Sequence, residues 1–368
     1  MATRTKAPTV RSVPKTVFTD SEAGALEFPS STSRSYNYFT PAKMRASTYE
    51  DVTFDVQVDP ERHLTQGWLY GFADGPGGYP KDWTALKSSD WHQFRDPNEE
   101  WEQTIFRNNA NVERQIAANL EHAKKAGAYA LWNASWTKVV AQHVGAWMHI
   151  EQGLGMHLFV PAQRNAPTNM LNNAICVNSI HRLRFAQDLV LYNLEIDDQL
   201  ESFDGSAHIE TWKSDPAWQG VRATVEGLTA TEDWAKAVLL TNLVFEPLVG
   251  ETFRSGFVQQ LAALNGDYVT PTIIGAGEND YVRDLRYTKA MAAMLVEDAE
   301  YGAANVAMIN GWLDAYVPEV LAAVRLLQPI WSQPTERVVS FDTSLSNAVE
   351  RTQALLADLG LESKELQA

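Results

Sequence analysis

His181 opens the stretch HRLRFAQDLVLYNLEID, which has acids at its far end and an apolar repeat between them, as a metal-binding helix would. A dimetal site carried by helices needs Glu-x-x-His pairs, because residues three apart project onto one face and reach one ion. The chain has eight histidines: His63, His92, His122, His143, His149, His157, His181 and His208. Three places before them stand Pro60, Ser89, Asn119, Val140, Ala146, Leu154, Asn178 and Gly205, none of them acidic. No two histidines lie four apart, so the HExxH zinc pattern is absent, and the single Cys176 cannot supply a thiolate cluster. His143, His149 and His157 fall on one helix at spacings that do not share a face, which fits a structural or interfacial role. His181 has the cation Arg184 at i+3, and Glu195, Asp197 and Asp198 come too late to chelate with it. The spacing argues against metal.

Other chemistry is equally thin. There is no GxSxG elbow, and Cys176, inside the apolar run AICV, has no activating neighbour and reads as a buried structural thiol. The carboxylate pairs Glu99-Glu100 and Asp197-Asp198 read as a helix first turn and a solvated helix end. GPGGYP lacks a following GK[ST] and reads as a turn. With 30 Lys+Arg against 46 Asp+Glu the formal charge is -16, which repels a phosphate backbone and disfavours nucleic acid as a partner. The lone cysteine fits a reducing compartment, the N-terminus lacks an apolar signal core, and no apolar run approaches the ~20 residues of a membrane span. The expectation is a cytoplasmic protein with no membrane partner.

The elements follow from composition and period. Residues 1–35, rich in Ser, Thr and Pro, are expected to form a flexible arm. Residues 36–90 mix aromatics with Gly and Pro and read as an extended segment, with DVTFDVQV as a lone strand. Residues 91–368 are dominated by helical signals. Asp96-Pro97 reads as a cap and first helical residue, with Lys124, Lys125 and Gly127 at the other end. A second helix is expected to close at Pro161 and a third to span NMLNNAICVNSIHRLRFAQDLVLYNLEIDD. A fourth begins after Thr231, kinks at Pro247 and stops at Gly266, and one or two more precede a terminal helix in DTSLSNAVERTQALLADLG. Several long helices with broad apolar faces make an all-α bundle. Within it HRLRFAQDL at His181 is echoed by RDLRYTKAM at Arg283. From the residues alone, a self-sufficient helical metalloenzyme with unusual ligands and a helical scaffold or binding module both stay open.

The runs YFTPAKMRASTYEDV, QGWLYGFADGPGGYPKDWTALKSSDWHQFRDPNEEWEQT, HVGAWMHIEQGLGMH, APTNMLNNAICVNSIHRLRFAQDL, NLVFEPLVGETFRS and NGDYVTPTIIGAGENDYVRDLRYT resemble the small (beta) hydroxylase subunits of soluble di-iron multicomponent monooxygenases, propane-oxidising members above all. The resemblance spans about residues 36–301. It implies a ferritin-like bundle, with a di-iron centre held by a large (alpha) hydroxylase subunit, two copies of each chain, and a reductase and coupling protein in the same NADH-dependent system. It places Arg182 and Phe185, and Asp284 and Tyr287, where the large subunit has Glu and His ligands. Of these four only Asp284 keeps an acid, so no catalytic, cofactor or metal role carries over to this chain. Arg182, Arg184, Arg283 and Arg286 are then expected to pair with core acids in place of the metal charge. Tyr36, Tyr38, Phe39, Trp68, Tyr70, Phe72, Tyr79 and Trp83 are the expected aromatic anchors of the partner interface.

Overall fold

A computed structural model describes residue 41 and residues 46–53 and 83–367. The expected flexible arm, the GPGGYP turn, and Tyr36, Tyr38, Phe39, Trp68, Tyr70, Phe72 and Tyr79 lie outside the described residues. Trp83 is half-buried and packs against the chain's own core.

Helices account for nearly all regular structure among the described residues, and none of their elements is a strand. Helix α1 (Thr48–Thr53) is held at its start by a reciprocal cap. The Ser47 amide donates to Glu50 and the Glu50 amide to Ser47, at 2.8 and 3.2 Å. The alternating stretch expected to be a strand therefore begins as helix over residues 51–53, and residues 54–58 lie outside the described set. Helix α2 (Glu102–Ala126) starts later than Asp96-Pro97 suggested. Asp96 instead caps a turn by accepting from the Asn98 amide at 2.9 Å. The helix is capped by Thr104, whose hydroxyl accepts the Trp101 N–H at 2.8 Å. It ends, as expected, at Lys124, Lys125 and a left-handed Gly127.

Four long helices form the centre of the bundle. Helix α3 covers residues 134–165 and runs through Pro161 rather than closing there. A π-helical stretch, Gly155–Phe159, precedes the proline and loosens the ladder that its missing N–H would break. Helix α4 (Asn169–Gln199) is capped by Thr168. Helix α7 covers residues 234–261 and is capped by Asp233, not Thr231, through the Lys236 amide at 3.0 Å. The disturbance expected at Pro247 takes the form of a long π-helical run, Thr241–Val258. This run is buried almost throughout, as befits the central helix of a bundle, and carries Asn242, Glu246 and Arg254 among its apolar residues. Helix α8 is Thr270–Val296. Helices α3, α4, α8 and α7 close a ring, each packed on the next. Outside it lie α5 (Ala207–Ser214), α6 (Pro216–Thr229), α9 (Gly302–Arg325), α10 (Phe341–Asp358) and α11 (Lys364–Gln367).

The core is aromatic as well as aliphatic. Trp147 stacks on Phe253 at 5.5 Å and meets Trp218 edge-on at 6.3 Å. No helix among the described residues is long and apolar enough to cross a membrane.

The turn after α7 depends on Gly266, whose φ of 85° is left-handed and whose added Cβ would stand 2.3 Å from the Leu131 carbonyl oxygen. Gly266→Ala is expected to cost about 2 kcal/mol or more, because strain and a backbone collision add. Urea unfolding tests this, and an unchanged midpoint would show that the two loops do not meet as described.

Candidate functional site

Each of the four central helices sends polar side chains into one buried centre. Glu151 comes from α3, Arg182 from α4, and Glu246 and Arg254 from α7, all less than a twentieth exposed. Arg182 Nη1 donates to Glu246 Oε1 at 2.7 Å and to Glu151 Oε2 at 3.1 Å. Arg254 Nη2 donates to Glu246 Oε2 at 2.7 Å, and its Nη1 lies 3.5 Å from Glu151 Oε1. Its Nε reaches Glu278 on α8 at 2.6 Å. The Trp147 indole N–H adds a 2.6 Å bond to Glu151, and Arg254 lies over the Trp147 ring at 4.8 Å.

Local backbone permits this crowding. Gly250 lies between Glu246 and Arg254, and a Cβ there would come within 2.7 Å of Glu246 Oε2 and 2.8 Å of Arg254 Nη2. Gly277 on α8 makes room for the Phe185 ring, which would meet a Cβ at 2.5 Å.

A second branch is centred on His181. Its Nδ1 is 2.8 Å from Asp284 Oδ1, and its Nε2 is 3.1 Å from Arg283 Nη2 and 3.7 Å from Glu100 Oε2. Arg283 also pairs with Glu100 at 3.0 Å and with Asp280, and Arg184 pairs with Asp188 and Asp280. Glu100 is therefore a buried member of this network and not part of a helix first turn. Asp284 accepts a further bond from Asn178 at 2.8 Å. Asn178 Oδ1 in turn accepts from Asn242 and from the Tyr287 hydroxyl, at 2.9 and 2.8 Å. The two segments of the sequence echo thus face each other across α4 and α8.

Charge states follow from these contacts. Burial raises Glu151 to about 6, against the pull of Arg182 and Arg254 and with help from neighbouring Glu246. Glu246 is also buried, but its two arginines hold it below the ordinary carboxylate value. Burial alone would lower His181, yet Asp284 and Asp280 leave it raised. Burial, with the Asp284 charge, keeps the Tyr287 phenol protonated and able to donate.

The structure brings Arg182, Phe185 and Asp284 to one small cavity and sets Tyr287 beside it. Of the four arginines expected to pair with acids, Arg182, Arg184 and Arg283 do so. Arg286 does not, because it faces outward from α8 and is exposed. Glu151, Glu246 and Arg254 were absent from the sequence expectation, although each is a charge set in an apolar, buried helix. Cys176 is half-buried rather than fully buried.

The other histidines lie elsewhere. His143 is fully buried, accepting from the Trp218 indole at 2.9 Å and standing 3.1 Å from Gln333. His149 pairs with His208 at 2.9 Å, and His157 is exposed. Among the described residues no cluster of His, Cys, Asp and Glu has the geometry to hold a metal.

Two helices each giving a glutamate, and two each giving an i, i+3 pair, all directed inward, make up the layout of ferritin-like di-metal carboxylate proteins. Here the pairs are Arg182 with Phe185 and Asp284 with Tyr287. The donor set does not fit two irons, because guanidinium has no lone pair to offer a metal and a phenyl ring is no ligand.

Comparison with known proteins places the same class. The profile of the Methane/Phenol/Alkene Hydroxylase family matches residues 68–299, and the chain belongs to that family. It is 56% identical over 358 residues to the propane 2-monooxygenase hydroxylase component small subunit of Mycolicibacterium smegmatis, covering 97% of each chain. It is 24% identical to the methane monooxygenase component A beta chain of Methylosinus trichosporium, over 86% of this chain and 84% of that one. Among solved structures, phenol hydroxylase from Pseudomonas sp. OX1 shares the fold with a TM-score of 0.74 at 19% identity, over 87% of this chain and 92% of that one.

Two predictions separate the centre from its surroundings. Glu246→Leu leaves both arginines short of an acceptor and is expected to destabilise by about 3–5 kcal/mol, whereas exposed Arg286→Glu should stay within about 0.5 kcal/mol. Equal losses in denaturant titration would contradict the placement of both. His143 gives a pH signature. Burial lowers it from 6.5 to about 4, so the unfolded chain binds its proton more readily and stability falls as pH drops from 6.5 towards 4. The loss attributable to His143 is at most about 3 kcal/mol. Thermal midpoints across this range, compared with His143→Gln, isolate it; identical profiles would refute it.

Proposed function

We propose that the chain is the small subunit of the hydroxylase component of a cytoplasmic multicomponent monooxygenase. The assembly inserts one oxygen atom of O2 into a short alkane such as propane, using electrons from NADH delivered through a reductase and under control of a coupling protein. The di-iron centre belongs to the large partner subunit, and this chain supports the helices that carry it. The observation behind this reading is the pair of arginines in the centre of a bundle otherwise built for a di-metal site. The high identity to propane 2-monooxygenase small subunits along almost the whole chain supports the substrate class.

The division of labour is testable on the complex captured through a tag on this chain. Native mass spectrometry, with iron counted for each separated subunit, is expected to find two heavier partners, two copies of this chain, and iron in the partners alone. Iron on the isolated chain, or a homo-oligomer with no di-iron partner, would overturn the reading.

A further inference from the structure

A cleft formed by α6, α9 and the start of α7 shares no residue with the buried centre. It holds about 190 Å³, compared with roughly 150 Å³ for a cavity that takes benzene. Leu228, Leu240 and Trp312 give it an apolar wall. Gly227 keeps it open, because a Cβ added there would meet no atom within 4 Å. The polar groups on the same space are not used up by the fold. Tyr316 is less than a tenth exposed, and its hydroxyl has no hydrogen-bond partner, a state that folded proteins seldom leave uncompensated. Glu319, one turn along α9 from Tyr316, is exposed on the cleft. Lys236 lies over the Trp312 ring at 5.9 Å and does not pair with Glu319.

We propose that this cleft binds a small neutral alcohol or phenol, with its hydrocarbon part against Trp312 and Leu240 and its hydroxyl among Tyr316, Lys236 and Glu319. A hydroxyl is the head group that answers this set, since it accepts one hydrogen bond and donates another. Tyr316 and Lys236 supply the donors, and the Glu319 carboxylate supplies the acceptor. A ketone would leave Glu319 without a donor, and a carboxylate ligand would be repelled by it. A bare hydrocarbon would cover the apolar wall and leave the Tyr316 hydroxyl unpaired. Thr224 and Thr231 do not compete as donors, because their hydroxyls already donate to the Val221 and Gly227 carbonyls at 2.7 and 3.0 Å. The binding site stands on the cleft alone. Alcohols are also what the proposed assembly makes, so product acting on this subunit is a consequence that rests on the subunit reading, whereas the binding itself does not.

The test uses the full chain with phenol and cyclohexanol as probes and benzene and benzoate as controls, followed by isothermal titration calorimetry and saturation-transfer NMR. Both hydroxylated probes are expected to bind with a Kd of about 0.1–1 mM, within what ligands of this size can supply. Benzene and benzoate should bind at least about tenfold more weakly. Tyr316→Phe removes the unpartnered donor and should weaken phenol about fivefold while keeping the native thermal midpoint. Gly227→Leu fills the cleft and should abolish binding, with a midpoint no lower than native because a glycine leaves a helix. Calorimetry that detects no phenol binding would overturn the proposal. So would phenol affinity unchanged in either folded variant, or benzene binding as tightly as phenol. None of these results bears on the iron count of the captured complex, so the subunit reading stands or falls separately.

Discussion

Glu246 sits fully buried on the central helix between two arginines from different helices, and its ionisation is what the rest of the centre answers to. A carboxylate taken out of water costs several kcal/mol unless matched by cations and hydrogen bonds. Arg182 brings α4 to it, and Arg254 returns from α7 itself. Through Glu278, Arg254 also ties in α8, and through Glu151 both arginines tie in α3. Each helix of the ring is thus fixed in axial register by a short polar contact, whereas its apolar packing could tolerate some sliding. Gly250 and Gly277 record the same requirement in the backbone, since the ion pair and the Phe185 ring occupy the volume a side chain would take.

The His181 branch extends this register outward. Asp284 joins His181 on α4 to Asn178 one turn away, and Asn178 passes the connection to Asn242 and Tyr287. On the opposite side Arg283 and Glu100 bring in the segment that precedes α2, and Asn98 donates to the Arg283 carbonyl at 2.9 Å. The chain ahead of the bundle is therefore anchored to the same network. Tyr49 of α1 completes that anchorage by accepting the Asp96 amide at 3.2 Å.

Much of this architecture is legible in the sequence. Helix periodicity and the glycine stops at Gly127 and Gly266 are local signals, and they mark elements near where they lie. The spacing of the histidines is equally local, because i, i+3 geometry is a property of one helix. Starts marked by acids were less readable. Asp96 and Thr231 look like caps, yet Asp96 serves a turn and Asp233 does the capping, since which oxygen meets a free amide depends on backbone that composition does not specify. Pro161 looked like a terminus because a π turn that absorbs a proline has no composition of its own. Glu151, Glu246 and Arg254 went unread for a different reason: they lie on two helices and belong together only in three dimensions. The available signal was a lone charge within GAWMHIEQGL and another within NLVFEPLVG, where an apolar, buried helix has no use for one.

Why the centre is polar at all follows from comparing it with the apolar alternative. Well-packed hydrophobic side chains of equal volume often match or exceed a buried ion network in stability. Stability alone therefore does not account for Glu151, Arg182, Glu246 and Arg254. What the network adds is direction: a bridging carboxylate is satisfied only when both arginines are present and correctly placed, so a helix displaced along its axis loses several hydrogen bonds together. An apolar seam would lose contacts gradually over the same displacement. The polar centre trades generic stability for a single arrangement of four helices, which is the property a subunit needs if its surface must match that of a partner.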